Sequence, residues 1–176
     1  MNQHPAEMFN FSQGFLPVAM NTASNAGDVV SLKNYEGCLI IFYKAVGTAS
    51  DDPTITLEQA TSIAPSGAKA LNITRVDKKQ AATNLLSTGT YTKSTSDSAA
   101  TNDTFSTNTW TNSTLAEQAA IVLIDVKATD LDTDNGYDCI RATVGDVGTN
   151  AQLGCMLYML YGPRYGKETL VSALAD

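Results

Sequence analysis

Few side chains of this chain could take part in catalysis. The one histidine among the 176 residues, His4, precedes Pro5 near the start of the chain, where we expect no packed neighbours to orient it. A serine or cysteine nucleophile needs a base held beside it, so a hydrolytic triad is excluded. Glu58 and Asp125 could pair as glycosidase carboxylates, but any acidic, strand-rich protein offers such pairs. The sequence therefore predicts that the protein is not an enzyme.

Metal ligands are also sparse. Residues 130–136, which read Asp-Leu-Asp-Thr-Asp-Asn-Gly, resemble the opening of a calcium loop, in which oxygens at alternate positions converge on one ion. Asn135 stands where that loop has its glycine, and Arg141 stands where it has a bidentate glutamate. We interpret the segment as an acidic turn between strands and expect no metal and no cofactor. Calcium binding at this turn is kept as the alternative.

The three cysteines stand inside apolar, strand-like runs and not at paired loop positions. They are Cys38, Cys139 and Cys155. Their odd number and their positions indicate buried thiols, not a disulfide framework or a zinc site. The first residues show no basic segment followed by an apolar one, so we expect no secretory leader and synthesis in the cytoplasm.

An excess of acidic over basic side chains limits the possible partners. Eleven Lys and Arg stand against 18 Asp and Glu, for a formal charge of -7. Nucleic acids and anionic membranes both require clustered basic side chains, so we expect neither as a partner. The longest apolar stretch, residues 153–161, is about half the length of a membrane helix. Charged residues make up only 16% of the chain, which indicates a surface that other chains cover.

Short runs of β-branched and aromatic residues, separated by turn-forming clusters, dominate the chain from residue 29 onward. Eight of these runs predict strands, at residues 37–45, 54–60, 68–76, 89–93, 104–111, 119–128, 137–145 and 151–162. An alternation such as that of residues 54–57, Thr-Ile-Thr-Leu, is typical of a strand with one buried face. The expected fold is all-β, a two-sheet antiparallel β-sandwich that is jelly-roll-like.

Three of the predicted strands contain segments that are apolar on both sides. These segments are residues 39–43, 121–124 and 155–160. They predict central strands, or strands whose outer face meets another subunit. Because one small sandwich cannot cover this much apolar surface, we expect self-association, as a trimer or a dimer.

The remaining segments are placed around a sandwich domain at residues 29–166. Residues 1–28 form an extended N-terminal arm without a helical or strand period, which either packs on its own chain or crosses to a neighbour. Residues 87–114, with 16 Ser and Thr among 28 positions, form a polar hairpin insertion with a loose tip at 94–103. Residues 167–176 form a C-terminal tail, for which we expect a short helix.

Aromatic and apolar residues near the two ends of the chain are the candidate partner contacts. In the arm these are Phe9, Phe11, Phe15 and Leu16, and near the C-terminus they are Tyr161, Arg164 and Tyr165. Tyrosine and arginine are enriched where proteins meet, and tyrosine rings also stack on sugars. A carbohydrate-binding or receptor-binding β-sandwich module is therefore the alternative from another functional class.

Four segments, in a fixed order, carry a resemblance to a known family. They are Tyr35-Glu36-Gly37, the run from Thr54 to Gln59, the run from Gly136 to Val144, and the run from Ala151 to Gly154. In these segments, and in outline over roughly two thirds of the chain, the protein resembles small structural proteins of tailed bacteriophages. The first 28 residues and the Thr-rich middle are not matched.

The resemblance implies a non-enzymatic virion protein, most often a capsid decoration or cement protein that binds the outer surface of the assembled shell. Its implied partners are the major capsid protein and copies of itself. Its implied location is the capsid surface, after synthesis in the host cytoplasm. A head-to-tail connector or another tail component is the alternative within the virion.

Overall fold

The strand-forming runs pair into two antiparallel sheets in the computed structural model, which describes residues 4–64, 67–164 and 170–174. The strands are β1 Phe9–Ala19, β2 Asn25–Ala26, β3 Val30–Ser31, β4 Tyr35–Lys44, β5 Thr54–Ala60, β6 Lys69–Ala70, β7 Arg75–Ala81, β8 Thr92–Thr95, β9 Asp103–Ser106, β10 Thr109–Asn112, β11 Ala119–Lys127, β12 Cys139–Val144 and β13 Leu153–Pro163. The helical elements are α1 Pro5–Met8 and two 3-10 turns, Ala128–Asp130 and Thr133–Asn135.

The two sheets pack face to face as a β-sandwich, which confirms the predicted fold class. One sheet has six strands in the order β1-β13-β4-β11-β7-β8, and the other has the order β2-β12-β5-β10-β9 with β3 on β12 and β6 on β5. Strands β4, β5, β7 and β9 pair with β13, β12, β11 and β10, respectively. This nested pairing is that of a long ribbon folded over on itself, the arrangement from which jelly rolls are built.

The core lies between the sheets and follows the alternation of the strands. In β5, Ile55 and Leu57 are buried while Thr54 and Thr56 are partly exposed, as the sequence pattern predicts. The largest buried side chains include Trp110, Phe42, Tyr158, Leu57 and Ile40. Burial of these apolar side chains, at roughly 25 cal/mol per Å², is the main force that holds the sheets together.

The N-terminal segment is an edge strand of the six-stranded sheet in its own chain. Strand β1 runs antiparallel to β13, with Phe9 opposite Tyr161 and Ala19 opposite Leu153. Its register shifts twice, between Gln13 and Phe15 and again between Phe15 and Val18. Each irregularity breaks the alternation of inward and outward side chains, which is why the arm shows no strand period.

The Thr-rich middle of the chain contributes strands to both sheets. Strand β8 pairs with β7, and β9 with β10 forms a hairpin that turns at Thr107 and Asn108. Within the predicted loose tip at 94–103, residues 95–98 form a tight turn closed by a bridge between Thr95 and Ser98. The single strand predicted at 104–111 is the two arms of this hairpin.

The strand predicted at 68–76 divides into β6 and the start of β7. Between them, the amide of Leu71 donates to the Leu57 carbonyl, and the amide of Ile73 donates to the Thr107 carbonyl. Leu71 and Ile73 are buried, so their alternation is real. Their backbone, however, crosses from one sheet to the other and joins no ladder. Of the C-terminal tail, for which a short helix was predicted, residues 170–174 are described and form no helix, while its other residues lie outside the described ranges.

Candidate interaction surface

The outer side of the six-stranded sheet carries a continuous apolar surface, which we call the outer face. It is formed by outward side chains of β1, β13, β4 and β11: Phe11, Leu153, Cys155, Leu157, Met159, Leu39, Ile41, Tyr43, Ile121 and Leu123. The alternate residues of β13, β4 and β11 point inward and are buried in the core. Both sides of these strands are therefore apolar, but within the described part of the chain only one side is covered.

The strand register places these side chains in rows across the sheet. One row runs from Leu157 through Ile41 to Leu123. The next row runs from Cys155 through Tyr43 to Ile121. Side chains directly opposite one another on neighbouring strands lie about 5 Å apart, so each row forms a band of contacts across the sheet.

Several large apolar side chains of the outer face are exposed to solvent. The exposed fraction is 59% for Phe11, 58% for Leu153, 53% for Tyr43 and 45% for Leu157. Single exposed apolar residues are normal in monomers. A contiguous set spread over four strands is different, because such patches mark surfaces that contact other proteins or ligands.

Charged side chains border the outer face on its β7 and β11 sides. Strand β7 carries Arg75, Asp77 and Lys79, with Asp77 opposite Leu123 and Lys79 opposite Ile121. The Arg75 guanidinium bonds the Asp77 carboxylate at 2.7 and 3.0 Å. The border therefore alternates in sign and continues the apolar rows, which is the arrangement of a polar rim around an apolar contact area.

Tyr161 closes one end of the outer face. Its hydroxyl donates to the Asp125 carboxylate at 2.7 Å, across the sheet from β13 to β11. The ring lies over Gly37 of β4, where any side chain would collide with the hydroxyl. Burial of the hydroxyl, together with its bond to Asp125, raises the pKa of Tyr161.

The arm residues that the sequence singled out fall on different sides of β1. Phe9 is half-buried opposite Tyr161, and Phe11 stands on the outer face beside Met159. Phe15 lies inside the core, where its ring packs against that of Phe42 with centroids 6.4 Å apart. Leu16 lies within the second register shift, between Phe15 and Val18, and is 65% exposed. Phe11 is therefore the arm residue that joins the outer face.

The predicted contact residues near the C-terminus do not all share that surface. Arg164 is exposed, its amide donates to the Asn34 carbonyl at 2.9 Å, and it lines a cleft of about 480 Å³ together with Tyr161, Glu36 and Lys127. Tyr165 lies outside the described residues. The structure brings Tyr161 and Arg164 together at this cleft, beyond the apolar rows.

Most residues of the outer face were not among the predicted contact residues. The segments 39–43, 121–124 and 155–160 were recognised as apolar on both sides. Which alternate set points outward depends on the strand register, and a sequence with apolar residues on both sides does not reveal it. The polar border on β7 was the available signal, because Asp77 and Lys79 mark the outward set of that strand.

The acidic turn at 130–136 is held by partners within the chain. The Asp132 carboxylate pairs with the Lys69 ammonium and accepts the Asn135 amide at 2.9 Å, which lowers the pKa of Asp132. The Asp130 carboxylate accepts the Lys127 backbone amide at 2.9 Å. Within residues 4–64, 67–164 and 170–174, no three His, Cys, Asp or Glu side chains are grouped to hold a metal ion.

The two carboxylates considered for glycosidase chemistry do not meet. Glu58 points outward from β5 in the second sheet and is bound by Arg141 at 2.6 Å. Asp125 points outward from β11 in the first sheet and is bound by Tyr161. The core of the sandwich separates them.

Two lysines are buried in the protein interior, each in a separate polar cluster. Lys44 donates to the backbone carbonyls of Leu115, Ala116 and Gln118 at 2.5 to 3.1 Å, and burial lowers its pKa to about 8. These three bonds hold the irregular segment between β10 and β11.

The second cluster lies between β7 and the β9–β10 hairpin. Lys78 pairs with the Asp103 carboxylate, and the same Asp103 oxygen accepts the Asn112 amide at 2.7 Å. The side chains of Lys78 and Asp103 are only 4% and 0% exposed. A polar link therefore joins the two sheets near their edge.

Comparisons with protein-family models, with curated proteins and with solved structures found no match to this chain. No helix among the described residues is long and apolar enough to span a membrane.

Proposed function

We propose that this chain is a non-enzymatic structural protein of a bacteriophage virion, a decoration or cement protein that binds the assembled capsid shell. The observation that carries the proposal is the outer face, an apolar surface spread over four strands and bordered by charges. A surface of this kind is typical of proteins that work by covering, or being covered by, another protein. The resemblance to virion proteins of tailed bacteriophages supports the shell as the partner.

The ionisable side chains in the interior support a structural role. Lys78 and Asp103 neutralise each other, and the Lys44 ammonium donates hydrogen bonds to three backbone carbonyls. On the surface, Glu58 and Arg141 pair across β5 and β12. A catalytic group needs a reactive atom that is oriented toward a substrate, whereas these groups are oriented toward the fold itself.

The arm offers a second contact next to the outer face. Strand β1 is the last strand of its sheet, so its outer edge has no strand partner within the described part of the chain. Exposed strand edges accept strands from other chains, and exposed apolar side chains such as Leu16 add specificity. Pro17 and the two register shifts limit indiscriminate pairing at this edge.

A protein of this kind stabilises a shell by mass action. It binds the assembled lattice and not the separate subunits, so each bound copy shifts the equilibrium toward the particle. A ligand present at 100 times its dissociation constant contributes about 2.7 kcal/mol per site. Repeated over many lattice positions, this modest energy becomes a large resistance to disassembly.

The test is cosedimentation with purified shells that lack this protein. Wild-type protein is expected to sediment with the shells, and Leu157→Lys is expected to bind at least about tenfold more weakly, because it places a charge in the centre of the outer face. Leu86→Lys is the matched control, since Leu86 is 93% exposed in the loop between β7 and β8 and is not one of the outward residues of the outer face. Wild-type protein that stays in the supernatant would contradict the proposal.

A further inference from the structure

We propose that a second copy of this chain covers the outer face, in a two-fold symmetric, sheet-on-sheet dimer. This inference rests on the proposed function in one respect, because it takes the dimer as the unit that binds the shell: the second copy covers the outer face, and the edges of β1 in the two copies remain free for the shell. It concerns the purified protein alone, so it is tested without any shell.

The size of the outer face fits such a dimer. Four strands about 4.8 Å apart, followed over the seven residues from Leu153 to Met159 at a rise of about 3.4 Å per residue, give an apolar footprint of roughly 400 Å². A standard interface buries about 800 Å² on each partner, with an apolar centre and a polar rim. The apolar rows would supply the centre, and the border on β7 and the end at Tyr161 would supply the rim.

The shape and chemistry of the outer face favour a sheet as its occupant. Its side chains are medium-sized and aliphatic for the most part, and they stand on the regular strands β4, β11 and β13. In aligned β-sandwiches two such surfaces pack face to face, about 10 Å apart and with their strands within about 30° of each other. A second copy presents the required surface, with the same rows at the same spacing.

The charges on β7 define how the two copies are related. Asp77 ends the row of Leu157, Ile41 and Leu123, whereas Lys79 ends the next row. A two-fold axis that lies between these rows, perpendicular to the strands, exchanges the rows. Asp77 of each copy then faces Lys79 of the other.

This relation is self-complementary, as an isologous contact must be. Asp77, which Arg75 already pairs within its own copy, and Lys79 both find opposite charges on the partner copy. An axis through the row of Asp77 would instead oppose two aspartates, and it would oppose Arg75 to Lys79. The chain has a formal net charge of -7, so two copies repel each other at long range. Opposite charges that face each other in the interface offset this repulsion.

Sedimentation velocity of the full chain over a range of concentrations tests the dimer. Wild-type protein is expected to dimerise, and Leu157→Lys to raise the dissociation constant by about a hundredfold or more, because two unpaired ammonium groups would be buried in the apolar centre. Leu86→Lys, the same change on an exposed loop, is expected to dimerise as wild type does. Circular dichroism and thermal melting of each variant show whether the fold is kept.

A charge exchange on β7 tests the symmetry. Asp77→Lys alone and Lys79→Asp alone each place like charges opposite one another, and each is expected to weaken the dimer several-fold. The double variant with both changes restores opposite charges at both contacts and is expected to regain most of the lost affinity. If the double variant dimerises as weakly as the single variants do, the proposed axis is overturned.

Cys155 provides an independent readout of the same surface. It stands on the outer face and is partly exposed, whereas Cys38 and Cys139 are buried. A maleimide is expected to label Cys155 roughly tenfold more slowly when about nine-tenths of the chains are dimeric, since only the free monomer reacts. In Leu157→Lys the labelling rate is expected not to depend on protein concentration.

The outcomes separate this inference from the proposed function. A strict monomer, or a dimer that Leu157→Lys leaves intact, overturns the dimer at this face. If such a protein still sediments with shells, the proposed function stands without the dimer. If the dimer forms as described but no shell is bound, the proposed function falls and the dimer remains.

Discussion

Lys78 and Asp103 show how much a single buried contact is expected to contribute to this fold. Both side chains are almost completely buried, and the Asp103 carboxylate also accepts a bond from Asn112. Removal of one charge leaves the other without its partner in the interior, where an unpaired charge is far less stable than in water. Loss of one partner is therefore expected to cost more free energy of unfolding than the intact pair contributes.

Lys78→Met is expected to lower the free energy of unfolding by about 3 to 5 kcal/mol, because Asp103 stays buried without its ammonium. The double variant Lys78→Met, Asp103→Leu is expected to be more stable than the single one. Lys69→Met is the control, since the pair of Lys69 and Asp132 is substantially exposed and contributes little. Urea denaturation measures all three. A loss for Lys78→Met no larger than that for Lys69→Met would contradict this account.

Tyr161 makes stability depend on pH at alkaline values. Its pKa is raised in the folded protein by burial and by the bond to Asp125, whereas in the unfolded chain it is about 10. Above pH 10 the unfolded chain therefore loses this proton while the folded protein keeps it, so the free energy of unfolding falls as pH rises. Wild type is expected to lose stability relative to Tyr161→Phe from about pH 10 upward, measured as urea midpoints between pH 8 and 11.5. Parallel profiles for the two proteins would show that Tyr161 titrates as it does in water.

Strands β5 and β1 show which elements the sequence predicts and which it does not. Strand β5 begins and ends where its pattern predicts, at Thr54 and Ala60, because a regular alternation and a single core face specify it. In β1 the two register shifts place Phe15 inward and Leu16 outward, out of step with Phe11. Its partner β13 lies far along the chain, so no local signal reports the pairing.

The two phenylalanines of β1 provide a matched test of this placement. Phe15→Ala is expected to lower the free energy of unfolding by about 3 to 5 kcal/mol, because it leaves a cavity in the core beside Phe42. Phe11→Ala removes a side chain from the outer face and is expected to change stability of the monomer little. Thermal or urea unfolding under monomeric conditions compares the two variants. Equal losses would show that β1 does not lie on the sheet as described.

The outer face could be predicted in part from the sequence. The apolar segments in β4, β11 and β13 indicated strands with two apolar sides and, from that, a surface covered by another subunit. Which residues stand outside became clear only from the register, as with Leu157 beside Ile41 and Leu123. The interface residues predicted from aromatic type alone were less accurate, since Phe15 is part of the core.

At the scale of the whole molecule, the fold separates stability from association. The interior holds the two sheets together through apolar packing and the polar clusters of Lys44 and Lys78. The outer face and the edge of β1 contribute little to this packing, and they are the surfaces that remain for partners. An exposed apolar sheet tends to aggregate unless a defined partner covers it, which is why we expect the protein to work in an assembly.

The most direct test of the proposed virion role is the number of copies of this protein in purified particles, measured by quantitative mass spectrometry against the major shell protein. A surface lattice offers about as many sites as shell subunits, so a decoration protein is expected at a ratio of the same order as the shell protein. A dozen copies or fewer would instead indicate a connector or tail component. Absence from the particle would contradict the virion role altogether.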